Sequence, residues 1–141
     1  MSVFTVHMRA WHDAEPMLRA VREAVFMREQ GVSAALEWDG LDESCRHALA
    51  LNANGEAIGC GRITPDAHIG RMAVLKEWRG RNVGTTLLQA LLDEARRLGF
   101  AEVDLGAQVQ ALPFYQRFGF VEEGEVFMDA DMPHRRMRLR L

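Results

Sequence analysis

The residues that point most directly to chemistry lie in one turn, Lys76-Glu77-Trp78-Arg79-Gly80-Arg81-Asn82-Val83-Gly84-Thr85-Thr86. Gly80 and Gly84 remove Cβ atoms where a ligand would meet backbone. Asn82 is among the few non-glycine residues that tolerate φ > 0. Apolar residues then recur at Val83, Leu87, Leu91, Leu92, Ala95 and Leu98 with a 3.6 period, and Gly99 follows. The turn therefore opens a helix, whose first N–H groups lack partners and carry partial positive charge. Arg79 and Arg81 add formal charge. Together these make a concave anion site suited to a pyrophosphate. The stretch has no Gly-Lys-Ser/Thr and no GxGxxG after a first parallel strand, so it is neither a Walker loop nor a dinucleotide fingerprint. A solvated basic turn that happens to contain glycines is the competing reading.

Other elements must hold this turn in place. Val3 to Met8 reads as a first strand. Asp13 offers an N-cap to an amphipathic helix through Leu18, Val21, Val25 and Phe26, which stops at Gly31. Residues 32–45 read as a short helix or loop. Residues 47–51 and 57–63 make a hairpin across Asn52-Ala53-Asn54-Gly55-Glu56. Residues 68–74 form a strand that runs into the glycine turn, and 102–106 a strand after the long helix. A short helix spans 111–117. Residues 120–128 and 134–139 read as a last antiparallel pair. The order is β-α-(α)-β-β-β-α-β-α-β-β, with one βαβ crossover amid hairpins. It predicts an α+β domain with a mixed, mainly antiparallel sheet and helices packed on it.

Bulk properties narrow the partners. The chain has 141 residues, 48% hydrophobic and 26% charged, with a net charge of −3. That length fits a single domain over 1–141, which buries roughly 68% of its unfolded surface without staples. The charge argues against nucleic acid, although Arg135, Arg136, Arg138 and Arg140 make a basic tail. Cys45 and Cys60 lack CxxC spacing, so no metal site or disulfide framework is expected. The start has no basic n-region with a long apolar run, and no stretch nears 18 apolar residues, so no membrane is expected and a cytoplasmic location is.

The turn resembles the Arg/Gln-x-x-Gly-x-Gly/Ala signature of the Gcn5-related N-acetyltransferases, with Asn82 standing where that family usually has Gly. Gly70-Arg71-Met72-Ala73-Val74 and Ala111-Leu112-Pro113-Phe114-Tyr115-Gln116-Arg117-Phe118-Gly119-Phe120 are similar to the same family's flanking motifs. Val25 to Gln30, Glu37 to Asp42, Gly124 to Phe127 and Met132 to His134 resemble the ElaA-like or YjcF-like subgroup.

The resemblance implies a three-layer fold of six to seven strands and about four helices, with the fourth and fifth strands splayed around an acyl thioester. It implies acetyl-CoA as donor and an amine as acceptor: a small amine, an amino sugar, or a peptide N-terminus or lysine. Backbone groups of Met72, Ala73 and Val74 would then bond the pantetheine arm and polarise the carbonyl. Arg79, Gly80, Arg81, Asn82, Val83, Gly84 and Thr85 would hold the pyrophosphate. Gln108 and Phe114 would also touch the cofactor. Tyr115, the one tyrosine of the chain, would protonate the leaving thiolate as general acid. An alkylammonium must lose a proton before it attacks. The base candidates are Glu29, Asp39, Asp42, His47 and His134, or a water chain, and Asp39 and His134 are also acceptor-binding candidates. Cys60 as an acyl carrier is disfavoured, since Cys is commonly a small core residue. A homodimer through the C-terminal strands is a further implication. A catalytically silent acyl-CoA sensor is the alternative function.

Overall fold

The computed structural model describes residues 3–141; Met1 and Ser2, which belong to the segment read as lacking a leader pattern, lie outside the described residues. Strand β1 spans Phe4–Ala10 and helix α1 follows at once over Trp11–Arg22. Ala14, at φ −146 and ψ 15, interrupts the helical dihedrals. The helix is thus capped at Ala10 with no side-chain cap bond, so Asp13 lies in its first turn instead of capping it as expected; regular dihedrals resume after Ala14, and Pro16 falls in the first turn of that resumed coil, where a missing N–H costs nothing. The helix widens into a π-helix over Glu23–Glu29 and ends at Gly31, φ 73. Residues 32–45 contain α2 (Ala34–Glu37), capped by Ser33 Oγ accepting from the Leu36 amide, and a 3₁₀ turn at Asp42–Ser44.

Strands β2 (Arg46–Asn52) and β3 (Ala57–Ile63) pair through a turn in which Asn52 Oδ1 accepts from the amides of Asn54 and Glu56. Then come β4 (His68–Val74), α3 (Val83–Arg97), β5 (Glu102–Gln108), α4 (Leu112–Gln116), β6 (Val121–Asp129) and β7 (Met132–Arg140). β6 has the length read from the sequence, shifted by one residue, whereas β7 runs longer at both ends than the 134–139 expected. The seven-stranded sheet has the order β1-β2-β3-β4-β5-β7-β6.

Among the described residues only β4 and β5 run parallel, joined by the α3 crossover. Their ladder holds two pairs, His68↔Asp104 and Ile69↔Leu105. Beyond Leu105 the strands separate and leave a wedge, as the expected splay requires. A second irregularity lies in β4. Its pairing to β3 steps from Cys60↔Ala73 to Arg62↔Gly70, so β4 carries an extra residue, and Arg71 takes φ 53 to accommodate it.

The sheet separates two cores. On one face Leu87, Leu88, Leu91 and Leu92 of α3 pack with Ile58, Ile69, Leu105 and Met137. On the other, Leu18, Val21 and Val25 pack with Leu49, Cys60 and Ala73. Gly61 lets α3 approach closely: a Cβ there would lie 2.6 Å from Met72 Sδ and 2.8 Å from Leu91. Among the described residues no helix is long and apolar enough to cross a membrane.

Candidate active site

The wedge between β4 and β5 is a pocket of about 400 Å³. It threads the sheet. On the α3 side it meets Ala111 and Tyr115; on the α1 side it meets Gln30, Glu37, Arg71 and His134. Tyr115 belongs to the α3-side core, 9% exposed, with its ring edge-on to Phe114 and Phe120. Burial pushes its phenol up to about 12, so it is a protonated O–H throughout the physiological range.

The glycine turn lies at the far end of β4. Gly80 (φ 76) and Asn82 (φ 65) are both left-handed, so Asn does what Gly would do at that position. Asn82 is the N-cap of α3, yet its side chain makes no capping bond. The first helical bond runs from Thr86 N to the Asn82 carbonyl at 3.0 Å, reinforced by the Thr86 hydroxyl at 2.8 Å. The amides of Val83, Gly84 and Thr85 precede that bond and have no intrahelical acceptor. Val83 is buried and Thr85 exposed. A Cβ on Gly84 would sit 3.5 Å from the Phe114 ring, so Phe114 closes the gap between this turn and α4. Arg81 lies over the Trp78 ring at 5.1 Å.

Arg79 is differently employed. Its Nη1 and Nη2 donate to the two Glu29 oxygens at 2.7 Å each, and its Nε donates to the Val74 carbonyl at 3.0 Å. The hydrogen bond and charge of Arg79 hold the Glu29 carboxyl below its ordinary value. This pair ties the glycine turn to the end of the first helix. Met72 lines the wedge, while Ala73 and Val74 continue β4 beyond the bulge opposite Cys60 and Gly59.

The other predicted residues divide. Gln108 lines the pocket and donates to Gln30 Oε1 at 3.1 Å, bridging β5 to the first helix. His134 lines it too, 7% exposed. Asp39 does not line it. It accepts from Arg62 at 2.5 and 3.0 Å and from Arg71 at 3.3 Å. Burial disfavours its charge, but these guanidinium partners prevail and hold its carboxyl far below the usual range. Asp42 accepts from Arg22 at 2.6 Å and Arg62 at 2.9 Å. The buried His47 ring bonds the Asp42 carbonyl at 2.9 Å, and burial lowers its affinity for a proton. Cys60 is 1% exposed, its thiol pushed up to about 12 by burial and pointed at the Arg71 carbonyl.

Sequence reasoning missed the network that joins these groups. Arg22, Glu37, Asp39, Asp42, Arg62 and Arg71 form one partly buried ion cluster on the α1 side. Arg71, the left-handed residue of the bulge, donates to the Leu36 and Glu37 carbonyls at 3.2 and 3.0 Å. The cluster thereby pins the bulge of β4. Its one sequence signal was Arg62, a cation within the apolar strand Ala57–Ile63. His68, bonded to Asp104 at 2.7 Å, was also missed and lines the pocket.

The fold thus holds a parallel strand pair that splits, an α3 N-terminus without a side-chain cap and a buried phenol that lines the pocket. Residues 16–141 match the model of the acetyltransferase (GNAT) domain family. The chain belongs to that family and is an acyltransferase. It is 36% identical over 121 residues to the Bacillus subtilis protein named uncharacterized N-acetyltransferase YjcF, covering 83% of this chain and 86% of that one. Escherichia coli ElaA has the same fold, with a TM-score of 0.85 at 30% identity, covering 95% of this chain and 98% of ElaA. An acyl-CoA N-acyltransferase from Pseudomonas aeruginosa matches with a TM-score of 0.84 at 27% identity over 96% and 99% of the two chains.

Proposed function

We propose that this chain, acting as one domain over 1–141, transfers an acetyl group from acetyl-CoA to a primary amine by direct attack. The observation that carries the reading is the pocket at the wedge, lined by Tyr115 on one side and by Glu37, Arg71 and His134 on the other. The donor enters from the α3 side. Its pyrophosphate meets the open amides of Val83, Gly84 and Thr85, with Gly80 and Asn82 shaping the turn and Arg81 supplying charge, while Arg79, paired with Glu29, braces the turn from the end of the first helix. Its pantetheine arm runs along Met72, Ala73 and Val74 beside Phe114 and Gln108, and these backbone groups polarise the thioester carbonyl. Tyr115 gives its proton to sulfur as the C–S bond breaks. A phenol this weak in acidity donates in concert with bond cleavage rather than ahead of it. His134 and, through Arg71, Asp39 shape the acceptor side.

The edge strand β6 leaves Val121, Val126 and Met128 exposed at 68%, 55% and 64%, which supports a homodimer through this strand. The silent-sensor alternative draws on the pocket's one buried carboxylate, Glu37, being held by Arg22 and Arg71. Thiol release from acetyl-CoA across a panel of glucosamine, Nα-acetyl-lysine and tyramine separates the two. The transferase releases thiol with at least one amine and loses this in Tyr115→Phe. A sensor binds acetyl-CoA and turns over none.

A further inference from the structure

We propose that His134 is the general base that takes the acceptor's proton, from the side of the wedge opposite Tyr115. The inference rests on the transferase reading above. His134 and Met137 lie three residues apart on β7, so they point to opposite faces of the sheet. Met137 is in the α3-side core, which puts His134 on the α1 side, where the acceptor would enter. Its Nδ1 lies 2.8 Å from the Met132 carbonyl. A carbonyl can only accept, so Nδ1 carries the hydrogen and Nε2 presents its lone pair. Among the described residues no hydrogen bond to Nε2 is found, and the residue, only 7% exposed, lines the pocket. Phe127 stacks on the ring at 5.8 Å and fixes its plane. The imidazole is oriented, nearly buried, lines the pocket and is chemically unspent.

Position selects it over the other imidazole in the pocket. His68 pairs with Asp104, where β4 and β5 are still zipped. His134 pairs with Gln108, four residues further along β5, roughly 13 Å toward the open end at about 3.3 Å per residue. The wedge can hold a thioester only beyond Leu105. The charged groups facing the pocket around His134 are Glu37 and Arg71 from the α1 side, His68 from β4, and Asp129 and Arg136 from β6 and β7. Glu37 is committed to Arg22 and Arg71, which leaves the imidazole as the oriented acceptor of a proton.

The step balances. His134 Nε2 takes one proton from the acceptor ammonium. The freed nitrogen lone pair forms the C–N bond at the thioester carbon. The C–S bond breaks with its electron pair going to sulfur, and Tyr115 protonates that sulfur. The second proton shed by the nitrogen restores Tyr115, and the imidazolium releases the first to solvent.

The test compares two kinds of acceptor with wild type and His134→Gln: the best amine of the panel above, and hydroxylamine, which is largely unprotonated at neutral pH and needs no base. His134→Gln is expected to lower kcat/KM on the alkylamine by about 10²–10⁴-fold and to abolish the acidic limb of its pH profile. It should keep most of its turnover of hydroxylamine and bind acetyl-CoA within about twofold of wild type, which also reports that it is folded. His134→Asn is the second variant if His134→Gln fails to bind. Equal losses on both acceptors, or an acidic limb that persists in the variant, overturn the assignment. Absence of wild-type turnover on every amine overturns the transferase reading itself.

Discussion

The two faces of the wedge are built by different physics. The α3 side is a dry apolar core in which Leu87, Leu88 and Leu91 are fully buried. It positions Tyr115 by packing and leaves the backbone amides of the glycine turn open. The α1 side positions its residues by charge: Arg22, 1% exposed, joins Glu37 and Asp42, and the same cluster reaches Arg71 in the β4 bulge. Apolar packing gives a rigid, low-dielectric site for a phenol, while an ion cluster fixes a strained backbone residue and its neighbours in one arrangement. The arrangement pays for itself only while every member keeps its partner, because an unpaired buried charge is costly.

Removing one member of each side is the strongest test of this contrast. Arg22→Met is expected to lower stability in urea unfolding by about 3–5 kcal/mol, because two buried carboxylates lose a partner. Leu88→Ala on the other face should cost about 2–5 kcal/mol through the cavity it leaves. Only Arg22→Met should change the near-ultraviolet signal of Trp11 and Trp38, over which its guanidinium lies at 5.7 and 4.8 Å.

The second prediction separates chemistry from packing on the α3 side. Tyr115→Phe keeps the ring and its edge-on contacts. It should leave acetyl-CoA binding and thermal stability nearly unchanged while lowering kcat by about 10²-fold or more. A matching loss of stability would mean the residue serves packing alone.

Acid tests the ionic element on the α3 helix itself. Arg97 and Arg46 bond the Glu94 carboxyl and, with Arg97 the larger influence, hold it down to about 2 against burial. Its folded value lies below its unfolded value of 4.5. The stability it contributes is therefore complete above about 4.5 and is lost as pH falls toward about 2. Glu94→Gln should cost about 1 kcal/mol at neutral pH and almost nothing near the lower limit, as read from denaturation midpoints against pH.

The smallest effect belongs to the turn. Asn82→Ala should cost about 1 kcal/mol, since alanine resists the left-handed conformation, whereas Asn82→Gly should lie within about 0.5 kcal/mol of wild type. Calorimetric melting distinguishes them.

Much of this was legible along the chain. The 3.6 period from Val83 to Leu98, the Asn-Gly hairpin and the left-handed tolerance of Asn82 are local properties, and local sterics carry them into the structure. The division of Arg79 from the turn was not legible. Its partner Glu29 is 50 residues away, and no spacing rule pairs charges across such a gap. Asp39 and Asp42 read as open acidic groups because the cations that claim them lie on β3, on β4 and on the first helix.

The sequence by itself determined the order of elements, the glycine turn at the head of α3 and the residue types available for acyl transfer, because each depends on neighbours within a few positions. The wedge was a tertiary decision. It exists because the β4–β5 ladder stops after two pairs, and that depends on a crossover, a bulge at Arg71 and a seventh strand inserted beside β5. Only that separation of two parallel strands puts Tyr115 and His134 on opposite sides of one opening.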